Sequence, residues 1–155
     1  MKRRTFLKGT MAGGVIAVAA GAGLLKPTQV MAARWPKSAF KAKAIPDAIK
    51  ALYGSSNPVT NNRAIKIDAP LQAENGGLVP IKVTANIARV ESIAMLVSKN
   101  PQPLATSIDL FGAKGFYRAN LKMRKSSDLV AIVKAGGKLY KKSHKIKVTV
   151  GGCGG

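Results

Sequence analysis

Four stretches between Ile65 and Val150 place an apolar residue at every second position, a period that confines them to strands with one buried face. Ile65 and Ile67 alternate with Lys66 and Asp68, and Val79, Ile81, Val83 and Ala85 with Pro80, Lys82 and Thr84. Tyr117, Ala119, Leu121 and Met123 alternate with Arg118, Asn120, Lys122 and Arg124, and Ile146, Val148 and Val150 with Lys145, Lys147 and Thr149. Residues 93–97, 105–111 and 129–133 complete about seven short strands. Turn signals separate them at Asn75-Gly76-Gly77, Asn100-Pro101-Gln102-Pro103, residues 112–115 and Gly136-Gly137. Strands of this length and spacing predict an all-β, immunoglobulin-like sandwich over residues 63–150.

Ahead of it, residues 34–62 read as an extension. Pro46 at the start, Ile49, Leu52 and Tyr53 on one face and Gly54 as a stop predict a short helix. Residues 34–44 are basic and poorly patterned, and 55–62 read as a polar loop.

The amino terminus is an address. Residues 11–25 are uncharged and rich in Gly and Ala, shorter than the roughly 20 residues that span a bilayer. A basic head, this apolar stretch and a small-residue exit at Val30-Met31-Ala32 predict a signal peptide over 1–33, cut after Ala32 or Ala33, with no permanent membrane anchor. The head Arg3-Arg4-Thr5-Phe6-Leu7-Lys8 resembles the twin-arginine signal. Folded export to the periplasm is the expectation, and it suits a chain that must leave with a partner.

Charge and composition narrow the function. The net charge is +20, with 26 Lys+Arg against 6 Asp+Glu. The signal holds five of the basic residues and no acidic one, so the remaining 122 residues keep 21 minus 6, or +15. The basic residues mostly occupy outward strand positions, above all Arg118, Lys122, Arg124, Lys141, Lys142, Lys145 and Lys147. A solvated face or a docking and anion-steering surface explains them; nucleic acid does not, because aromatics are 5% and no recognised binding motif accompanies the charge. One Cys and one His exclude an internal disulfide and a Cys/His zinc site, and no cofactor is expected.

The carboxyl terminus carries the chemistry. After Val150 the chain ends Gly151-Gly152-Cys153-Gly154-Gly155. Glycine visits most of backbone space, so a slim, flexible arm is expected. Cys153 stands three residues past the last strand and reaches about 10 Å from it at 3.3–3.6 Å per residue. A catalytic thiol needs a base or cation beside it; the glycines supply neither, and His144 lies nine positions back, where a surface or strand-end role is expected. Such a thiol is suited to modification by other enzymes. A thiol redox protein and a basic anion-binding module in which the tail is incidental are the alternatives, and an intermolecular disulfide is compatible with any of them.

The ending Lys147-Val148-Thr149-Val150-Gly151-Gly152-Cys153-Gly154-Gly155 resembles the SoxY family, sulfur-carrier subunits of bacterial thiosulfate oxidation. The likeness extends through Ala73-Glu74-Asn75-Gly76, Val79-Pro80-Ile81-Lys82-Val83, Lys99-Asn100-Pro101-Gln102-Pro103-Leu104-Ala105 and Gly137-Lys138-Leu139-Tyr140. It implies a substrate carrier rather than an enzyme. Cys153 would be the covalent attachment point for thiosulfate-derived sulfur, and Gly151, Gly152, Gly154 and Gly155 a swinging arm. The implied partners are a SoxZ-like subunit in a heterodimer, a c-type haem enzyme that conjugates thiosulfate and a metal-dependent hydrolase that releases sulfate. Organisms that have a molybdenum- and haem-containing sulfane dehydrogenase add that enzyme. The strong basicity is a departure from the family pattern.

Overall fold

The computed structural model describes residues 35–60 and 63–150. Arg3, Arg4 and the rest of the expected signal lie outside the described residues, as do Gly151, Gly152, Cys153, Gly154 and Gly155.

Among the described residues two helices come first, α1 (Lys37–Lys41) and α2 (Ile45–Tyr53). α2 starts and stops where its punctuation predicts: Pro46 occupies the first turn, and Gly54, at φ 75°, closes the helix by donating its N–H to the Lys50 carbonyl at 2.8 Å. α1 is an addition to the sequence reading. Ala39, buried, and Phe40, partly buried, dock it, and two apolar residues between lysines carry too little periodicity to announce a five-residue helix.

Nine strands follow: β1 (Val59–Thr60), β2 (Ile65–Asp68), β3 (Gln72–Asn75), β4 (Val79–Ala85), β5 (Val90–Val97), β6 (Leu104–Asp109), β7 (Phe116–Leu121), β8 (Ser127–Ala135) and β9 (Lys138–Val150). The large sheet runs β1-β9-β8-β5-β6, with β3 also paired to β9; the small sheet runs β2-β4-β7. The sandwich expected from periodicity is present, and β1, β3 and the first half of β9 enlarge it. β9 leaves β8 through Gly136 and Gly137, both at positive φ (54° and 73°), with Ala135 facing Lys138. Two left-handed residues in a two-residue loop match the twist of the strands they join, a geometry that glycine adopts without strain.

The core lies between the sheets, built from Ile65, Val79, Ile81 and Val83 on one side and Ile93, Met95, Leu129, Val133 and Ile146 on the other. A second cluster covers the large sheet's other face: Ala39, Ala48 and Ile49 of the helices pack on Ala94, Leu96, Leu104, Val130, Ile132 and Leu139. β5 and β8 are therefore buried on both faces, which is why 93–97 and 129–133 read as unbroken apolar runs instead of alternating.

One outward assignment is corrected. Lys142 shares a face of β9 with Ile146, and its Nζ donates to the Ile65 carbonyl of the small sheet at 2.7 Å. Its stem crosses the core edge while the ammonium finds a backbone partner. Arg118, Lys122, Arg124, Lys145 and Lys147 are exposed as expected, and Lys141 is half-buried.

Candidate functional site

The final strand delivers the chain to residue 151, so the residues gripping the end of β9 define the root of the arm. β3 holds one side in parallel register, with Gln72 opposite Lys147, Ala73 opposite Val148 and Asn75 opposite Val150. The Lys147 N–H donates to the Leu71 carbonyl at 2.9 Å, and the Thr149 hydroxyl lies 3.3–3.4 Å from the Ala73 and Glu74 carbonyls. On the other side the β8 ladder stops at the pair Ser127–Ile146. There Ser126 stands in for a strand: its Oγ accepts the Val148 N–H at 2.9 Å and lies 3.3 Å from the Val148 carbonyl. A side chain thereby extends the ladder two residues beyond the point where backbone pairing ends.

Register brings several separate segments to this same end of the sandwich. The turn after β3 folds so that the Gly77 N–H donates to the Asn75 side-chain oxygen at 2.7 Å, and the Gly76 carbonyl accepts the Met123 N–H at 2.6 Å. The β5–β6 loop approaches the β7–β8 connection through Asn100. Its Nδ2 donates to the Lys122 carbonyl at 2.7 Å, and its Oδ1 accepts the Arg124 N–H at 3.1 Å. One amide side chain thus clamps both ends of a three-residue segment. Ser98 ties the same loop to β8, its N–H and hydroxyl both donating to the Asp128 carbonyl at 2.9 and 3.0 Å. Two sequence segments that carried the resemblance, 73–76 and 99–105, therefore meet at the root, although 23 residues or more separate them along the chain.

Around this end Lys99, Lys122, Arg124 and Lys125 are exposed, and none of them joins an ion pair among the described residues. The carboxylates that are engaged sit elsewhere. Asp68 takes Lys82 at 3.0 Å and Lys66 at 3.1 Å, and Glu91 takes Lys134 at 2.8 Å. Hydrogen bonds from Lys82 and then Lys66 hold the Asp68 carboxyl below the usual range, and Lys134 with the Gly137 N–H does the same for Glu91.

The chain's single His is not at the strand end or on the surface, which corrects the expectation. His144 stands mid-strand opposite Leu129, half-buried on the face of β9 that carries Ile146, with its Nε2 buried. A residue on that inward face is poorly placed to serve a group three residues beyond Val150. Among the described residues no cluster of His, Cys, Asp or Glu has the makings of a metal site, and no helix is long and apolar enough to cross a membrane.

Cys153, Gly151, Gly152, Gly154 and Gly155, predicted as the arm and its attachment point, fall outside the described residues. Sequence reasoning missed Ser126 and Asn100 as the residues that shape that root. Each sits in a polar turn where Ser and Asn are common, and only the pairing register reveals their partners.

The family described as sulfur oxidation protein SoxY matches residues 49–153, a span that takes in Cys153. Among solved structures the chain is similar to the sulfur carrier protein SoxY from Chlorobium limicola f thiosulfatophilum, at 37% identity and TM-score 0.62, covering 74% of this chain and 99% of that one. A superoxide reductase (neelaredoxin) from Ignicoccus hospitalis aligns at 19% identity and TM-score 0.52, covering 59% and 94%, and shares the fold alone. No curated protein matches. A family match over more than half the chain, with a solved relative above a third identical, places this protein in the SoxY family of sulfur oxidation proteins.

Proposed function

We propose that the chain is a covalent carrier of sulfur intermediates in periplasmic thiosulfate oxidation, loaded on Cys153 and presented to enzymes by the Gly151-Gly152-Cys153-Gly154-Gly155 arm. The observation that carries this reading is that the family match continues to residue 153, directly beyond a strand held on both sides to its last turn. In the loading step the Cys153 thiolate and the outer sulfur of thiosulfate form an S–S bond, and two electrons leave to a haem-containing conjugating enzyme. Cys-S⁻ plus thiosulfate thus becomes Cys-S-S-SO₃⁻. Water then attacks the sulfonate sulfur in a hydrolase, releasing sulfate and two protons and leaving the persulfide Cys-S-S⁻. A sulfane dehydrogenase, where present, oxidises that outer sulfur further.

The division of labour follows from chemistry on the chain. An ordinary thiol has a pKa of about 8.5 and is mostly protonated near neutrality, and His144 faces the sandwich interior, so activation falls to the partner's active site. The carrier contributes a nucleophilic sulfur and a tether of glycines that passes where side chains would collide. A SoxZ-like subunit completes a heterodimer, and the Arg3-Arg4 signal takes the folded pair to the periplasm.

The test is intact-mass measurement of the protein recovered during thiosulfate turnover. Sulfonate and persulfide adducts are expected on wild-type protein and none on Cys153→Ser, whose fold and partner complex survive. A wild-type chain that stays unmodified while thiosulfate is consumed overturns the proposal.

A further inference from the structure

We infer that Lys99, Lys122, Arg124 and Lys125 form a docking collar around the arm's root that recognises an acidic protein surface at the entrance of each enzyme the arm serves. The inference rests on the carrier reading and adds the chemistry of the partner surface. Its geometric basis is the short tether: from Val150 to Cys153 is three residues, about 10 Å at full extension. A partner that draws Cys153 into a pocket must bring its own surface against the residues around Val150. Those residues are set by the register. Val150 faces Asn75, the neighbouring Gly76 binds Met123, and Met123 stands between Lys122 and Arg124.

The collar is built rather than incidental. Asn100 clamps the backbone of Lys122 and Arg124 from the loop that also bears Lys99, so cations from two separate segments share one framework. All four are exposed, none is ion-paired among the described residues, and at this end only Glu74 and Asp128, both exposed, oppose them. Small anions fit less well. Two clefts among the described residues, of about 370 and 510 Å³, lie at the other end of the sandwich, lined by residues such as Tyr53, Ser92 and Asp109 or Asn86, Lys114 and Phe116. The collar residues line neither cleft. Solvated cations spread over an exposed end attract an extended surface of opposite charge, and raise its encounter rate, more than they hold a single oxyanion.

The test compares two variants of the full chain, in complex with its SoxZ-like partner, that remove four positive charges each. One carries Lys99→Gln, Lys122→Gln, Arg124→Gln and Lys125→Gln; the other carries Lys37→Gln, Lys41→Gln, Lys43→Gln and Lys50→Gln on the two helices and their connection. The readout is the association rate with the purified conjugating enzyme, by stopped flow across ionic strength, together with adduct mass on Cys153 and the thiosulfate dependence of loading. The collar variant is expected to associate about 10-fold more slowly at low salt, with a flattened salt dependence, and to converge on wild type near 1 M salt, where screening acts within about 3 Å. Its loading at saturating enzyme is unchanged, and the helix variant behaves as wild type. Equal slowing in both variants reduces the effect to net charge and overturns the collar. So does an altered thiosulfate requirement with normal association, which makes the occupant the small anion. A wild-type chain that takes up no sulfur overturns the carrier reading and the collar with it, whereas normal loading and normal association of the collar variant overturn the collar alone. Matching thermal melts of the three proteins show that the rates do not report misfolding.

Discussion

Ser126→Ala tests how firmly the arm's root is held. In the wild type the Val148 N–H has one partner, the Ser126 Oγ at 2.9 Å, and the same oxygen lies 3.3 Å from the Val148 carbonyl. Alanine keeps the backbone and removes both contacts, leaving a partly buried donor unmade. A net hydrogen bond contributes about 1 kcal/mol, and an unsatisfied buried donor raises the loss to about 1–3 kcal/mol. Lys147 and Thr149 keep their bonds to the β3 side, so the loss is local. Amide hydrogen exchange at Val148 is the assay. At about 1.4 kcal/mol per tenfold, exchange there accelerates roughly 5- to 150-fold, while amides of β5 and β8 keep their rates. If 148–150 open together, the tether doubles from three residues to six, about 20 Å at 3.3–3.6 Å each. The dependence of docking on the collar then weakens. Exchange at Val148 less than twofold faster, or an equal rise throughout β5, β8 and β9, refutes the idea that one serine secures the end of the strand.

Gly115→Ala places a Cβ 2.6 Å from the Ala85 carbonyl and 2.8 Å from Val90 Cγ2. The Ala85 carbonyl has little room to retreat, since the Ala85 N–H also binds the Gly115 carbonyl at 2.7 Å, and Val90 is buried in the core. A loss of about 2–4 kcal/mol from overpacking and a strained hydrogen bond is expected in urea unfolding, and a change below half a kcal/mol rules it out. Asp68 titrates below its ordinary value because its Lys82 and Lys66 partners favour the charged form. Its contribution is complete above the unfolded carboxylate value and disappears as pH falls through the lower folded one. Lys82→Met moves the Asp68 midpoint upward in carboxyl-carbon NMR, and an unmoved midpoint contradicts the pairing. Burial pushes the Tyr53 hydroxyl up, with Ser92 Oγ 3.3 Å away. Stability from keeping it neutral holds below the unfolded tyrosine value and fades as pH rises through the folded one. The wild-type minus Tyr53→Phe phenolate absorbance should appear later than that of a free tyrosine, and earlier ionisation tells against the burial.

Much of the sandwich was legible because its alternating strands bury one face only: β4 reads Val79, Ile81, Val83, Ala85 inward without interruption. What escaped did so for physical reasons. The first half of β9, Lys138-Leu139-Tyr140-Lys141-Lys142-Ser143-His144, places Lys142 and His144 on the inward face, so its polarity disguises a strand. β3, Gln72-Ala73-Glu74-Asn75, has a single buried side chain and exists because β9 offers it a ladder. At the candidate site, Cys153 and the glycines around it lie outside the described residues. The clamp at Asn100 and the ladder extension at Ser126 are properties of register, which joins residues 22 positions or more apart.

β9 occupies an interior position of the large sheet, flanked by β8 on one side and by β1 and β3 on the other. It is also the last in chain order among the described strands. During synthesis β1 and β3 therefore lack their pairing partner, and one side of β8 stays open, until residues 138–150 have been made. Truncation ahead of residue 138 consequently removes more than Cys153 and its glycines, because it deletes the keystone on which both flanks of the sheet close.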